Sequence, residues 1–301
     1  MNWRDRRVIV AGGTAGFGLV LARQLALAQA RVLVVGRSSA GVRAALEACE
    51  RAGAAADRVH GLAADLGVAG EGQRVAGEAE RILGGVDDLF FCVGRSGRAA
   101  ILRASPAMLQ EYLDTNLLAA VEITQAVADD VAQARGHLVY IGSLAGKIVM
   151  PFMGPYSVGK AALAAYVDAV RLELAPRGAH VLLVSPGPIR RAADDPAADR
   201  AAGRYAAEAA AAGLPPEAAV PGGTTSLRQL DPDDLARRVF AACDRRTSEL
   251  VVPRKVGLLA GLIEWFPDAG RRLLQRLTTR QGRQDGGAVA ETHDGPAKSA
   301  D

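Results

Sequence analysis

The chain has 301 residues, half of them hydrophobic and 23% charged, with a formal net charge of +3. That length allows one large domain or two small ones with ample core. So small a charge excludes nucleic acid as the main partner, and no stretch approaches the roughly 18 apolar residues of a membrane span.

Strand and helix signals alternate along the chain. The opening "MNWRDRRVIVAGG" has only about four apolar residues before its glycines, too few for a signal peptide. "RVIVAGG" (7–13) is a β-branched run ending in glycine, followed by a periodic helix over 17–30. "RVLVVG" (31–36) is a second strand, and 40–53 a second helix. Further strands are expected at 59–66, 87–94, 136–143 and 179–187, separated by helices near 70–83, 105–134 and 155–175. Apolar strands without alternation, spaced by helices, indicate a parallel sheet covered on both faces. The fold class is therefore α/β, a doubly wound Rossmann-type sheet, with ligands expected beyond the C-terminal ends of the strands.

After residue 187 the rhythm breaks. Residues 188–230 are rich in Ala, Pro and Gly, and read either as a substrate lid or as a loosely helical insertion. A capped helix (231–244), a last strand (249–253) and a final helix (255–278) follow, and from about 281 the chain reads as disordered. The expected organisation is a catalytic domain over 1–255, an amphipathic helix over 256–280 and a tail over 281–301. Cys49, Cys92 and Cys243 lie far apart with no CxxC and no His cluster, so neither a zinc site nor a disulfide framework is expected, and a reducing cytoplasm fits.

Three local patterns carry chemistry. "AGGTAGFG" (11–18) joins the first strand to the first helix, and its glycines let a pyrophosphate approach the backbone and the helix N-terminus. The second strand ends without the carboxylate that would bind an adenosine ribose. Arg37, Ser38 and Ser39 stand there instead, and a guanidinium suits a 2′-phosphate, which favours NADP over NAD. "PYSVGK" (155–160) places Tyr156 and Lys160 one helical turn apart on one face. An ammonium and a helix dipole both favour the phenolate, so the pair suits general acid/base work, although it also arises by chance in many helices.

Together these features resemble the classical short-chain dehydrogenase/reductase family over about residues 5–255. The glycine spacing at 12, 16 and 18 is that of the classical subfamily. Asp65 in "ADL" is similar to an adenine-contacting acid, and "SPGPI" (185–189) to a Pro-Gly turn beside the nicotinamide. Asn116 in "DTNLL", Ser143 in "IGSLAG", Tyr156 and Lys160 match the family's catalytic tetrad, with Ser143 thirteen residues before Tyr156. The resemblance implies cofactor contacts at Gly12, Thr14, Gly16, Phe17 and Gly18. Further along it implies Arg37, Ser38, Asp65, Leu66 and Gly94, then Asn116, Tyr156 and Lys160, and finally Pro186, Gly187 and Ile189. It implies that Ser143 bonds a substrate carbonyl, that Tyr156 protonates its oxygen, and that Lys160 lowers the phenol's pKa and binds the nicotinamide ribose. Asn116 would hold a relay water, or else cap a bent helix.

The chain departs from the family's pattern in places. Phe91, Cys92 and Val93 precede Gly94 where Asn-Asn-Ala is usual, and Cys92 reads as a small core residue. Arg191 stands where a threonine normally fixes the carboxamide, and Arg190 and Arg191 read either as facing cofactor phosphates or an acidic substrate group, or as two solvated arginines on a loop. The leading expectation is an NADP-dependent oxidoreductase interconverting a small carbonyl compound and its alcohol, as a homo-oligomer. A non-catalytic NADP-binding regulator is the alternative. Residues 255–277 pair Leu258, Leu259, Leu262, Ile263, Trp265 and Phe266 with Arg271, Arg272, Arg276 and Arg280. That suits peripheral contact with an anionic membrane, or packing on protein.

Overall fold

The structure, a computed structural model, describes residues 2–192, 195, 203–219 and 227–284. Seven parallel strands form one sheet: β1 (Arg7–Ala11), β2 (Arg31–Gly36), β3 (Val59–Ala63), β4 (Asp88–Phe91), β5 (His137–Ile141), β6 (His180–Pro186) and β7 (Glu249–Val252). Their order is β3-β2-β1-β4-β5-β6-β7. The central residues of β1, β2, β4, β5 and β6 are apolar without alternation because successive side chains point to opposite faces and both faces are covered. In β1, Ile9 and Ala11 join one buried cluster while Val8 and Val10 join the other.

Helices α1 (Gly16–Leu27) and α2 (Ser39–Arg51) cover the Val8 face, and α3 (Glu71–Leu83) covers the other. Strand order reverses between β1 and β4, and it is there that the glycine loop leaves the sheet. Gly12 and Gly13 both donate to the Val35 carbonyl, at 2.9 and 3.2 Å, which folds the chain tightly over the end of β2.

The helix expected over 105–134 is two helices. α4 (Pro106–Leu113) and α5 (Ala119–Gln133) are joined by a π turn over Asp114–Leu118. The Asn116 side-chain amide donates to the Tyr112 carbonyl at 3.0 Å, competing with the regular backbone pattern of this turn. α6 (Gly154–Leu174) follows as expected, and within the expected lid lie α7 (Arg204–Ala211) and a 3-10 turn over Pro216–Ala219. The rest of that segment at 193–194, 196–202 and 220–226 lies outside the described residues. α8 (Pro232–Asp244) is capped by Asp231, whose carboxylate accepts from Asp234 N at 2.9 Å.

The single C-terminal helix expected over 255–278 is also two: α9 (Arg254–Trp265) and α10 (Pro267–Gln284). Pro267 cannot continue a helix but starts one well, so the break falls before it. Gly270 permits the tight corner, since a Cβ there would come 2.7 Å from the Ile263 Cα. Residues 281–284, expected to be disordered, belong to α10, and 285–301 lie outside the described residues. The chain divides into two compact units, Met1–Ala260 and Gly261–Asp301. Among the described residues no helix is long and apolar enough to cross a membrane.

Candidate functional site

A cavity of about 730 Å³ opens over the C-terminal ends of β1, β2 and β4, where strand order reverses. Gly12, Thr14, Gly16, Phe17 and Gly18 line one side, and Arg37, Asp65, Leu66 and Gly94 others. Gly12 has φ +78°, and a Cβ on Gly18 would lie 2.2 Å from the Gly12 carbonyl oxygen, so only bare backbone fits where α1 meets the loop. Ser38 does not line the cavity; its hydroxyl accepts from Gly41 N at 3.1 Å and caps α2. Asp65 is exposed and bonds back to Gly67 N at 3.0 Å, while Leu66 is buried in the core.

Arginines outnumber acids on the cavity wall, although Arg95, Arg191 and Arg204 pair with Glu111, Asp195 and Glu208. Arg37, Arg95, Arg191 and Arg204 line the cavity against two acids, Asp65 and Asp114. The first N–H of α1, on Gly16, donates to the carboxylate of Asp195 at 3.1 Å, and Arg191 pairs with the same oxygen. Asp195, its side chain fully buried, is therefore an anion already standing at the helix N-terminus that the glycines leave open. Of the two arginines after the Pro-Gly turn, Arg191 faces the cavity and Arg190 turns to Asp231. The cavity's volume, its bare glycine wall and its arginines fit a dinucleotide.

Next to Gly94 the remaining residues of the motif converge. A Cβ on Gly94 would lie 3.0 Å from both Asn116 Oδ1 and Lys160 Nζ, so this glycine lets the two side chains come together. Asn116 accepts from Arg95 N at 3.3 Å and donates to Arg95 O at 3.1 Å, which ties the π turn to the strand exit. Lys160, 5% exposed, donates to the Ile141 carbonyl at 2.9 Å. Burial holds its ammonium down to about 8. Ser143 ends the β5 exit and accepts from Ala145 N at 3.1 Å, so it also caps the following 3-10 turn.

The Tyr156 phenol is pushed up to about 12 by burial, with the neighbouring Ser143 hydroxyl pulling the other way. The expectation that Lys160 lowers this phenol is not met. Burial dominates, and the lysine is turned to Ile141. Burial also pushes the Cys92 thiol up to about 12, which leaves it protonated and unreactive at neutral pH. Pro186 ends β6, Gly187 N bonds the Val252 carbonyl at 2.8 Å, and Ile189 bridges to Leu230. None of these three lines the cavity, but a Cβ on Gly187 would touch Leu144 at 3.4 Å, so this turn abuts the one that carries Ser143.

Other residues near the phenol carry no motif. Tyr205, Arg98 and Tyr112 all act on Tyr156. The Arg98 guanidinium lies 4.1 Å from the Tyr205 ring centre and donates to the Ala218 carbonyl at 2.6 Å, while Ser96 Oγ meets Tyr205 Oη at 2.5 Å. The described part of the expected lid is thereby fastened to the loop after β4. More than 100 residues separate the partners, so no local pattern announces them.

The short chain dehydrogenase family matches residues 6–201. Ketoacyl reductase HetN of Nostoc sp. is 32% identical over 183 residues, 60% of this chain and 63% of that protein. Dehydrogenase/reductase SDR family member 7B of Xenopus tropicalis is 30% identical over 191 residues, 62% of each. A protein named putative ketoacyl reductase from Streptomyces coelicolor is 31% identical over 62% of this chain and 72% of its own. The match spans about three fifths of the length of the first two relatives. A Caenorhabditis elegans short-chain dehydrogenase/reductase of unknown function, solved with cofactor, has the same fold: TM-score 0.67, 22% identity, 83% of this chain and 94% of that one. With the family match running from β1 to the start of the expected lid, over a cavity and a Ser–Tyr–Lys set at the matching strand ends, the chain belongs to the short-chain dehydrogenase family.

Proposed function

We propose that the chain is an NADP(H)-dependent oxidoreductase that interconverts a ketone and a secondary alcohol. The observation that carries this reading is the half-buried phenol of Tyr156 beside Ser143, with Lys160 one turn along the helix and next to Gly94, which lines the cavity. When bound, the nicotinamide supplies or takes the hydride. Ser143 hydrogen-bonds the substrate oxygen as charge grows on it. Tyr156 gives that oxygen its proton. A phenol near 12 is almost wholly protonated at neutral pH, so the cofactor-free site holds the proton that carbonyl reduction consumes. Lys160 would hold the cofactor's nicotinamide ribose, and Asn116, beside it across Gly94, would keep a relay water in reach.

Arg37 supports NADP over NAD. It is exposed at the end of β2, lines the cavity and has no ion pair or hydrogen-bond partner among the described residues, which suits a guanidinium kept for a 2′-phosphate. The names of two relatives, ketoacyl reductases, support a keto group as the reacting function. The test is Tyr156→Phe. Dinucleotide binding should be kept while turnover of a ketone panel falls about 10²–10⁴-fold, the usual contribution of a positioned proton donor. Turnover at the parent rate would refute the mechanism.

Contact with an anionic lipid surface is the partner reading that α9 supports. Leu258, Leu262 and Trp265, spaced four and three apart on one helix, are 77%, 51% and 83% exposed, and Phe266 is 57% exposed. Ile263, expected on the same face, is buried, which narrows the stripe. Arg254 and Lys255 precede it, and Arg271, Arg272 and Arg276 follow it, all exposed. An exposed tryptophan with flanking cations suits the headgroup region of an anionic bilayer.

A further inference from the structure

Asp88, His137 and His180 open strands β4, β5 and β6 and stand opposite one another in register. This row lies at the end of the sheet away from the cavity, about 13 Å from Ile141 along β5 at 3.3 Å per residue. Cys243, in the last turn of α8, completes the group. The ligand atoms of His137, His180 and Cys243 all lie within 4.8 Å of one another, and the residues are 3%, 5% and 0% exposed.

The histidines are already oriented. His180 Nε2 is 2.9 Å from the Thr247 carbonyl, which can only accept, so the ring proton sits on Nε2 and the Nδ1 lone pair points inward. A carbonyl that fixes one ring nitrogen so that the other can ligate is the usual support of a metal-bound histidine. His137 Nδ1 lies 2.8 Å from His180 Nδ1 and donates to that lone pair. Aromatic rings pack on one side, with Trp3 5.9 Å from His137 and Phe240 5.3 Å from Trp3, while Arg6 and Arg246 act on His137 and Arg171 and Arg246 on His180. Hydrocarbon side chains would fill this space without the cost of burying two imidazoles. Asp88, bonded to His137 N at 2.9 Å and paired with Arg6, places a carboxylate nearby.

We propose that His137, His180 and Cys243 form a buried site for a borderline-soft divalent ion of the zinc type. Two imidazoles and a thiolate are the donor set such an ion selects, with bonds of about 2.0–2.1 Å to nitrogen and 2.3 Å to sulfur. Ligand atoms around a tetrahedral ion of that size are more than 3 Å apart, so the two Nδ1 atoms must part by about half an ångström, within the reach of small ring rotations. On binding, Cys243 loses its thiol proton to solvent and the His137 ring proton moves from Nδ1 to Nε2, while a solvent molecule takes the fourth position. The ion would tie β5, β6 and α8 together. Sequence spacing hides the site, because its ligands lie at 137, 180 and 243 and meet only through the parallel crossovers.

The test uses the full-length chain, stripped with a chelator and titrated with Co²⁺ as an optical probe. One equivalent should bind, with the charge-transfer absorption of a cobalt–thiolate bond, and Zn²⁺ should displace it. Cys243→Ala should abolish the thiolate absorption and weaken Co²⁺ binding at least tenfold, whereas Cys49→Ala should leave both unchanged. The wild-type titration decides even if the variant does not fold. No thiolate absorption at stoichiometric Co²⁺, or the same absorption in Cys243→Ala, overturns the proposal and leaves an ordinary hydrogen-bonded histidine pair.

Discussion

Replacing Lys160 by methionine should make the cofactor-free protein more stable at pH 7. The lysine is 5% exposed, and burial lowers its pKa from 10.5 to about 8. At about 1.4 kcal/mol for each tenfold change in proton affinity, the buried ammonium costs about 3 kcal/mol. Methionine has similar volume and no charge. Against the gain stands the lost bond to the Ile141 carbonyl, worth about 1 kcal/mol. The net effect is about 2 kcal/mol, or roughly 4–8 °C in Tm. The pH dependence carries its own sign. The folded pKa lies below the unfolded one, so below pH 8 both states hold the proton and the cost is full. Between about 8 and 10.5 the unfolded chain binds a proton that the folded chain has lost, and the parent's stability climbs. The variant's advantage should therefore shrink to within about 1 kcal/mol by pH 10. Urea unfolding of both proteins at pH 7 and 10 measures it. A variant less stable at pH 7, or a difference that does not change with pH, refutes the reasoning.

Arg37→Ala should weaken NADPH binding by about 1.5–3 kcal/mol, the range for hydrogen bonds to charged groups, and leave NADH binding nearly unchanged. Titration of both cofactors decides this, and equal losses would make Arg37 an ordinary surface residue. Asp195→Asn, which removes the anion at the Gly16 N–H, should tighten NADPH binding several-fold by calorimetry; weaker binding would show that the carboxylate assists the cofactor. Full-length protein should co-sediment with anionic vesicles at low salt, and Trp265→Ala with Phe266→Ala should release it. Protein that stays in the supernatant rules out the lipid surface.

The sheet is legible in the sequence because a strand buried on both faces has an unbroken apolar middle, as in Val8–Ala11, Val32–Val35 and Val181–Val184. The glycine loop is legible for a related reason. Gly12 and Gly18 touch each other across the turn, so their spacing records a steric requirement as well as a ligand. Asn116 is a different case. An amide amid leucines signals irregularity, but whether it marks a kink, a cap or a π turn depends on the Arg95 backbone that it grips. The pairing of Lys160 with the phenol reads correctly as helical geometry and wrongly as electrostatics. Spacing fixes which face a side chain shares, but not which carbonyl its ammonium finds. Asp195 at Gly16, and Arg98 against Tyr205, join segments more than 100 residues apart and leave no local trace.

The π turn sets the phase of everything after it. A continuous α-helix from 106 to 133 would advance 100° per residue throughout, and one face would have to serve both cavity and core. The wider turn takes up one extra residue, so Tyr112 and Asn116 look toward the strand exit while Ile123, Val127 and Val131 still settle on the sheet. Removing one residue there, such as Thr115, should let regular α-helix run through. Either Asn116 then swings about 100° off Arg95, or the Ile123 stripe leaves the core. The helix is in effect two gears meshed by one spare tooth, set between Asp114 and Leu118.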